Sequence, residues 1–481
     1  MARPLETYEQ AIEFLYGRIN YERAPVESYT SSDFKLERMQ RLLTALGNPH
    51  ERLPAIHVAG TKGKGSTCNM IAAVLTAAGL RTGLYTSPHL VRFEERMTVD
   101  GVSPTPEELV QLVNQVHGPV SELDRLPLRS HPTYFEIATA LAWLDFERRR
   151  ADVAVLETGL GGRLDSTNLC RPWVTVITNV SRDHMQILGS TVREIAAEKA
   201  GIIKPGVPVI SGALHPDAEA VIAERANHLQ APLWQLGRDV EWEWSDGTEA
   251  SRHVDVRTPR RLWRRLPITL RGAHQAVNTA LAVAALDRLS DVGIVLSGET
   301  AERGLRQVRW PGRIEVLSLR PHVVLDAAHN WESTKALVKT LREEFGAVRR
   351  RILVFATTRD KDYRGLIRQL VPAFDTLIFT RYLDNPRAVP AEELCGYLSA
   401  ISERQAHLAP DPYSAWKLAR RLSHPHDLIV VTGSFFLVGE LRELIREDLR
   451  SSAANASTEG GSSRTVQRPA TATNASPENT P

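Results

Sequence analysis

The segment Gly60-Thr-Lys-Gly-Lys-Gly-Ser-Thr67 follows an apolar run, Ala55 to Ala59, and precedes another, Cys68 to Ala78, which Gly79 closes. Strand, glycine-rich turn, lysine, hydroxyl and helix, in that order, wrap backbone N–H groups around the phosphates of a nucleotide. Gly60, Gly63 and Gly65 would let the backbone approach the ligand, with Thr61 in the same turn. Lys64 would reach the outer phosphates, and the Ser66 hydroxyl would face Mg²⁺. Gly65 separates the lysine from the hydroxyl, so the spelling departs from the usual phosphate loop. A phosphate loop alone leaves kinases, motor ATPases and nucleotide switches open.

Other chemistry-bearing residues follow strand-like runs, and in open α/β sheets ligands bind at the carboxyl ends of strands. Val153 to Leu156 leads into Glu157 and then Thr158-Gly-Leu-Gly-Gly-Arg-Leu-Asp-Ser-Thr-Asn168. A carboxylate just past a buried strand is placed to hold Mg²⁺, and the glycines behind it suit a ligand approaching backbone. Val174 to Asn179 runs into Val180-Ser-Arg-Asp-His184. Thr191 and Glu194 have the spacing of a capping box at the start of a helix that carries Lys199, and composition gives Lys199 no role beyond the helix dipole. A second cluster comprises Asp326-Ala-Ala-His-Asn330, Thr357 to Tyr363, and Gly433-Ser434. Two sheets with polar loops and a hinge between them describe a cleft that closes on substrate and excludes water, as an acyl phosphate intermediate requires.

The elements that must position these residues alternate short β-branched runs with longer helical stretches, the pattern of an α/β fold. One series of strands lies at 55–59, 82–86, 153–156 and 174–178, and another at 323–326, 352–355, 376–379 and 428–432. Most are apolar without alternation, as in sheets covered on both faces. A helix is predicted over His274 to Leu289, and Pro311-Gly312 marks a boundary near residue 310. The expected division is 1–309, a phosphate-loop domain with a parallel-rich central sheet; 310–450, a smaller Rossmann-like α/β domain; and 451–481, a Ser/Thr/Ala-rich tail expected to be disordered. With 481 residues, 42% hydrophobic and 24% charged, the chain reads as a soluble globular protein of more than one domain. A net charge of +2 and Arg runs at 148–150, 260–261 and 349–351 that read as solvated surface argue against a nucleic-acid partner. The three cysteines have no metal or disulfide spacing, and neither a signal peptide nor a membrane span is apparent. A cytoplasmic monomer is the expectation.

Taken together, the segments over roughly residues 30 to 440 closely resemble the folylpolyglutamate synthase and dihydrofolate synthase family, within the Mur ligase superfamily. The motifs are Gly60 to Ser66, Tyr85-Thr-Ser-Pro-His-Leu90 with Arg92 to Arg96, Glu157 to Asn168, Asp183-His184, Glu198 to Ile202, Gly272-Ala-His-Gln275 with Asn278, Trp310-Pro-Gly-Arg313, and Asp326 to Asn330. The resemblance implies that Ser66 and Glu157 bind the Mg²⁺ on the ATP phosphates, while Ser87, Glu157 and His184 form a second metal site. Lys199 matches a lysine that the family carbamylates with CO₂, turning a cation into an anion beside that metal. Asn278, Arg313, Asp326 and His329 match a nucleotide clamp across the hinge. Phe34-Lys35-Leu36-Glu37-Arg38, Ser87-Pro88-His89-Leu90 and Leu164-Asp165-Ser166 match segments that hold the pterin and its benzoate arm.

The implied reaction is phosphorylation of a folate or dihydropteroate carboxylate by ATP, then attack by the amino group of L-glutamate. Lys64, Lys199, His184 and Arg313 would serve it, with the phosphate and metal groups stabilising the transferring phosphoryl group. Lys62 stands where many relatives carry Asn, Ala327 where many carry Gly, and Trp331 replaces a common Pro. A cell-wall Mur ligase would carry a further domain ahead of the phosphate loop, whereas 59 residues precede Gly60 here. A nucleotide-switch protein would need neither Lys199 nor the second-domain clamp. Whether the acceptor is dihydropteroate, a tetrahydrofolate or both stays open.

Overall fold

The computed structural model of the chain describes residues 3–22, 34–127, 130–245 and 252–459. Its first sheet has seven strands: β1 (Pro54–Ala59), β2 (Thr82–Tyr85), β3 (Met97–Val99), β4 (Val153–Glu157), β5 (Arg171–Ile177), β6 (Val209–Ser211) and β7 (Leu233–Gln235). Their order is β3-β2-β4-β1-β5-β6-β7, and only the β2–β3 pairing is antiparallel. β1 therefore lies at the centre, and the loops leaving β2, β4, β1 and β5 emerge side by side at one edge. The alternate side chains of these strands feed separate cores. Ile56, Val58, Val155 and Val176 meet helices Lys64–Ala77 and His274–Arg288; Ala55, Tyr85, Ala154 and Leu156 meet helices Leu36–Ala45, Pro106–Leu123 and Tyr134–Arg148. Burial on both faces explains why the strands read as continuous apolar runs.

A three-stranded antiparallel sheet, β8 (Glu241–Ser245), β9 (His253–Arg257) and β10 (Leu262–Pro267), packs beside helix His274–Arg288. The sequence reading did not anticipate it, although Glu241-Trp-Glu-Trp-Ser245 alternates as a half-exposed strand should. The remaining strands are β11 (Glu315–Leu319), β12 (His322–Asp326), β13 (Arg351–Phe355), β14 (Thr376–Phe379), β15 (His407–Leu408) and β16 (Leu428–Thr432). They form a second sheet, β11-β12-β16-β13-β14-β15, parallel except at its β11 edge, with helices on both faces. Asp326 and Thr432 end β12 and β16, and Ala356 directly follows the adjacent β13, which gathers the second polar cluster at one edge.

Two expectations need correction. The final helix runs Phe435–Glu459, so residues 451–459, expected to be disordered, are helical. Extending an existing helix avoids the nucleation penalty, and Ala453, Ala454 and Ala456 propagate it readily. The remainder of that tail, 460–481, lies outside the described residues. The arginine runs are likewise not merely solvated. Arg148 reaches Asp145 and Glu108, Arg261 reaches Asp287, and Arg350 reaches Asp427. Among the described residues no helix is long and apolar enough to cross a membrane.

Helix Leu36–Ala45 is held to the domain by a buried ion pair, Arg38 Nε donating to both carboxylate oxygens of Glu136 at 3.0 and 3.2 Å. Glu136 also completes the capping box of its own helix with Thr133. Glu136→Ala would leave a buried guanidinium without its carboxylate. The expected destabilisation is about 3–5 kcal/mol, read from the midpoint of urea unfolding.

Candidate functional site

The helix that follows β1 begins differently from many others in the chain. Helices Tyr8–Tyr16, Pro106–Leu123, Tyr134–Arg148, Val192–Ala200 and Trp331–Glu344 each start with a capping box. Helix Lys64–Ala77 starts at Gly63, left-handed with φ of 82°, and no side chain caps it. Its first N–H groups and the positive end of its dipole are left for an anion. The loop is shaped by contacts that admit only glycine. A Cβ on Gly60 would lie 1.9 Å from Thr178 Oγ1, and one on Gly63 would lie 2.3 Å from Asn278 Oδ1. On Gly65 it would meet the Trp310 ring at 2.8 Å and Glu157 Oε2 at 3.2 Å, which accounts for the glycine inserted between lysine and hydroxyl.

The loop is pinned from the end of β5. Asn179 Oδ1 accepts from the N–H groups of Thr61 and Lys62 at 3.1 and 2.8 Å, and Thr178 Oγ1 donates to the Lys62 carbonyl at 2.6 Å. Thr61 Oγ1 donates to the Ser181 carbonyl and accepts from the Ser181 N–H. Nothing in the sequence singles out Thr178 or Asn179, because their partners lie across the sheet. The unusual Lys62 forms an ion pair with Asp183 at 2.6 Å. Burial pushes the Asp183 carboxyl up, but Lys62, His184 and Lys361 together hold it well below the usual carboxylate range.

Glu157, at the end of β4, is buried, and burial raises its pKa against the attraction of Lys64, the Ser87 N–H and Arg313. Lys64 Nζ lies 3.8 Å from Glu157 Oε1, and the Ser87 N–H donates to Oε2 at 3.3 Å. Ser66 is buried in the first turn of the same helix as Lys64. Lys199 is buried on helix Val192–Ala200, where burial and the neighbouring Lys64 lower its pKa to about 7. His184 adopts a left-handed backbone with φ of 51° and keeps 46% of its side chain exposed. Lys64 is the charge that Glu157, Lys199 and His184 all feel. Among the described residues no group of three or more His, Cys, Asp or Glu could hold a metal alone. One buried carboxylate with a hydroxyl nevertheless fits Mg²⁺, which takes one or two protein oxygens and completes its shell from substrate phosphates and water.

Across the hinge, Asp326 accepts from the Ile314 and Ala328 N–H groups, each at 2.9 Å. This carboxylate braces a turn in which Ile314 has φ of 46°, a strained conformation for a β-branched residue, right beside Arg313. The Arg313 guanidinium stands 4.6 Å over the Phe435 ring and faces both Asp326 and Glu157. His329 Nδ1 donates to the Ala327 carbonyl at 2.8 Å, so its proton sits on that nitrogen and Nε2 is left as an acceptor. Asn278 Nδ2 donates to Gln275 Oε1 at 2.9 Å, which orients the amide against Gly63.

The segments expected to hold an acceptor are more dispersed. Lys35 and Glu37 are exposed at the start of their helix, Leu36 is half-buried, and Arg38 turns inward to Glu136. Asp165 is buried, with Oδ1 accepting from the Thr167 N–H and hydroxyl and Oδ2 from the Leu160 N–H. His57 on β1 supports this network, its Nε2 donating to Thr167 Oγ1 at 2.8 Å because that hydroxyl already donates to Asp165. Ser166 is buried beside it and Leu164 is half-buried. Pro88 is exposed, while His89 Nδ1 accepts from the Nε of the buried Arg96 at 2.8 Å. Leu90 packs with the second sheet's helices. Its carbonyl faces Gly439 so closely that a Cβ there would stand 2.0 Å away. Lys361, whose charge bears on Asp183, His184 and His329, is a further cation that the motifs did not single out.

The Mur ligase middle domain matches residues 58–286, and the Mur ligase glutamate ligase domain matches residues 312–435. The dihydrofolate synthase/folylpolyglutamate synthase of Bacillus subtilis is 36% identical over 441 residues, covering 91% of this chain and 99% of that protein. The dihydrofolate synthase/folylpolyglutamate synthase of Escherichia coli is 32% identical over 419 residues, 86% of this chain and 92% of that one. Among solved structures, the Mycobacterium tuberculosis folylpolyglutamate synthase complexed with ADP superimposes with a TM-score of 0.82 at 30% identity, covering 91% of this chain and 98% of that one. The E. coli protein in complex with DHPP and ADP gives a TM-score of 0.79 at 28% identity, covering 94% of this chain and all of that one. The chain belongs to the folylpolyglutamate synthase and dihydrofolate synthase family of Mur ligases.

Proposed function

We propose that this chain is an ATP-dependent ligase that joins L-glutamate through an amide bond to the carboxylate of a folate or of dihydropteroate. The observation that carries the reading is the uncapped start of helix Lys64–Ala77, with Lys64 and Glu157 on one side of a hinge and Arg313 facing Glu157 from the other. Solved relatives bound to ADP, and one bound to ADP with DHPP, support nucleotide and acceptor occupying this cleft. The working division is a nucleotide and acceptor unit to residue 309 and a second unit from 310 to 450.

In this reading the loop N–H groups, Lys64 and Ser66 hold the phosphates of ATP, with Asn278 against the loop and Arg313, Asp326 and His329 closing from the second unit. Bound Mg²⁺ would neutralise charge on the phosphates, with Glu157 and Ser66 holding one ion and Ser87, Glu157, His184 and Lys199 bordering a second position. The acceptor carboxylate oxygen attacks the γ-phosphorus, ADP leaves, and an acyl phosphate forms. Lys64 and Arg313 offset negative charge on the transferring group, and the closed cleft keeps water from the acyl phosphate. The glutamate amine, once deprotonated, attacks the acyl carbon, and phosphate departs from the tetrahedral adduct. Lys199 nitrogen adds to the carbon of CO₂ and releases a proton, giving a carbamate. A buried amine with a pKa of about 7 is largely unprotonated above neutrality, as that addition requires.

Purified protein with Mg-ATP and glutamate should release ADP only when dihydropteroate or a tetrahydrofolate is added. Lys64→Ala should abolish turnover, and Lys199→Ala should reduce it at least about a hundredfold, given what single groups stabilising a transition state contribute. Folded protein that binds ATP but turns over neither acceptor would overturn the reading. ¹³C NMR after equilibration with ¹³CO₂ should show a carbamate signal that grows from pH 6 to pH 8 as Lys199 deprotonates and is absent in Lys199→Ala. Gly63→Ala places a methyl group on Asn278 in a left-handed residue, so calorimetry should find ATP affinity reduced by about tenfold or more.

A further inference from the structure

Helix Trp331–Glu344 ends in a carboxylate, at the pole where the helix dipole disfavours negative charge. Its neighbour Glu343 is exposed to 45% and pairs with Lys339 along the same helix. Glu344 instead leaves its own domain. Its Oε2 accepts from Arg252 Nη2 at 3.0 Å and from Arg271 Nη1, and its Oε1 accepts from the Gly272 N–H at 3.3 Å. The three side chains are only 15%, 5% and 15% exposed for Glu344, Arg252 and Arg271, so the charges are removed from solvent and screened little by salt. Around them the two domains fit closely. Arg271 lies 5.7 Å over the Phe345 ring, and a Cβ on Gly272 would stand 2.8 Å from Thr340 Oγ1.

The two elements joined here both lead into the nucleotide site. Gly272 stands two residues before helix His274–Arg288, which carries Asn278 against the phosphate loop. Helix Trp331–Glu344 begins directly after Asp326-Ala-Ala-His-Asn330, the loop that braces Arg313. At about 1.5 Å per residue its 14 residues place Glu344 roughly 20 Å from that loop, too far to touch a nucleotide.

We infer that Glu344 is a positioning residue: with Arg252 and Arg271 it forms an interdomain latch that sets the second domain's nucleotide-binding loop in register with the phosphate loop. The inference rests on the ligase reading for its kinetic arm and on geometry alone for its structural arm. Without the carboxylate, two buried guanidinium groups of the first domain lose the charge that ties them to the second, and the domains lose their preferred alignment. If the aligned arrangement falls to about a tenth of the population, the apparent affinity for ATP falls about tenfold.

The test uses the full chain as wild type, Glu344→Gln, Glu344→Asp and Arg271→Gln. Circular dichroism and thermal melting establish that each variant is folded, and the milder Arg271→Gln serves if Glu344→Gln is not. Small-angle X-ray scattering should give a larger radius of gyration for Glu344→Gln and Arg271→Gln. Their KM for ATP should rise about tenfold with a smaller change in kcat, and Glu344→Asp should recover part of both effects. A folded Glu344→Gln or Arg271→Gln protein with the wild-type radius of gyration and KM for ATP within twofold would overturn the latch. If the wild-type chain forms no amide with either acceptor, the ligase reading falls, and the scattering comparison still decides the latch.

Discussion

The site is organised around one buried carboxylate. Glu157 ends a central strand, out of reach of bulk water, where an isolated anion is strongly disfavoured. It is tolerated because positive charge reaches it from two directions, Lys64 from the phosphate loop beside it and Arg313 from the other domain. Lys64 at 3.8 Å is in electrostatic contact but not in a hydrogen bond, so both groups keep capacity for a ligand. The position of Glu157 follows from strand order. β4 is hydrogen-bonded to β1, and Val58 is in register with Glu157, so the carboxylate and the phosphate loop leave the sheet side by side.

The same constraint explains how closely the domains approach. If Arg313 is to feel Glu157, the linker has to pass directly over the phosphate loop, and Trp310 does so, lying against Gly65. Glycine stands at three close approaches across this joint, Gly65 against the Trp310 ring, Gly272 against the Thr340 hydroxyl and Gly439 against the Leu90 carbonyl. Further out, the joint is polar. Arg387 of the second domain donates to the Glu22 carbonyl while the Glu22 carboxylate pairs with Arg96 beneath the His89 loop. Polar contacts of this kind favour one relative placement of the domains, as suits a site that has to open for substrate and close for chemistry.

Much of this arrangement was legible in the sequence because it is local. The eight anticipated strands all form, with ends within three residues, because doubly covered strands are uninterrupted apolar runs. The phosphate loop was legible from its spelling between an apolar strand and an apolar helix, and the Thr191–Glu194 capping box is set by near neighbours in the chain. What was not legible depends on partners distant in sequence. Thr178 and Asn179 look like ordinary strand-end polar residues until the β1–β5 pairing sets them against the loop. Arg38 stands in a segment matched to ligand binding, yet its guanidinium is held by Glu136, 98 residues away. Leu90 likewise sits in an acceptor motif and packs against the second domain, because the last helix presents Gly439 to its carbonyl. β8 to β10 went unrecognised although β8 alternates, since β10 is irregular and carries two consecutive arginines, Arg264 and Arg265, at a break in its pairing.

The charge balance around Lys64 links the structure to the proposed carbamate. Burial and then the charge of Lys64 lower the proton affinity of Lys62 and Lys199, Lys62 also acts on Lys199, and Lys361 bears on Lys62 from the second domain. Asp183 answers Lys62 directly, and Glu157 answers Lys64. No carboxylate is within salt-bridge distance of Lys199 among the described residues, which is why burial together with Lys64 drives its amine toward neutrality. A neutral buried amine removes one repulsion but adds no attraction for a metal ion on the phosphates. As a carbamate the same side chain would carry negative charge opposite Lys64, with two oxygen donors suited to Mg²⁺. In the proposed reading, the lowered pKa of the amine would make the modification accessible, and the surrounding lysines would hold its product in place.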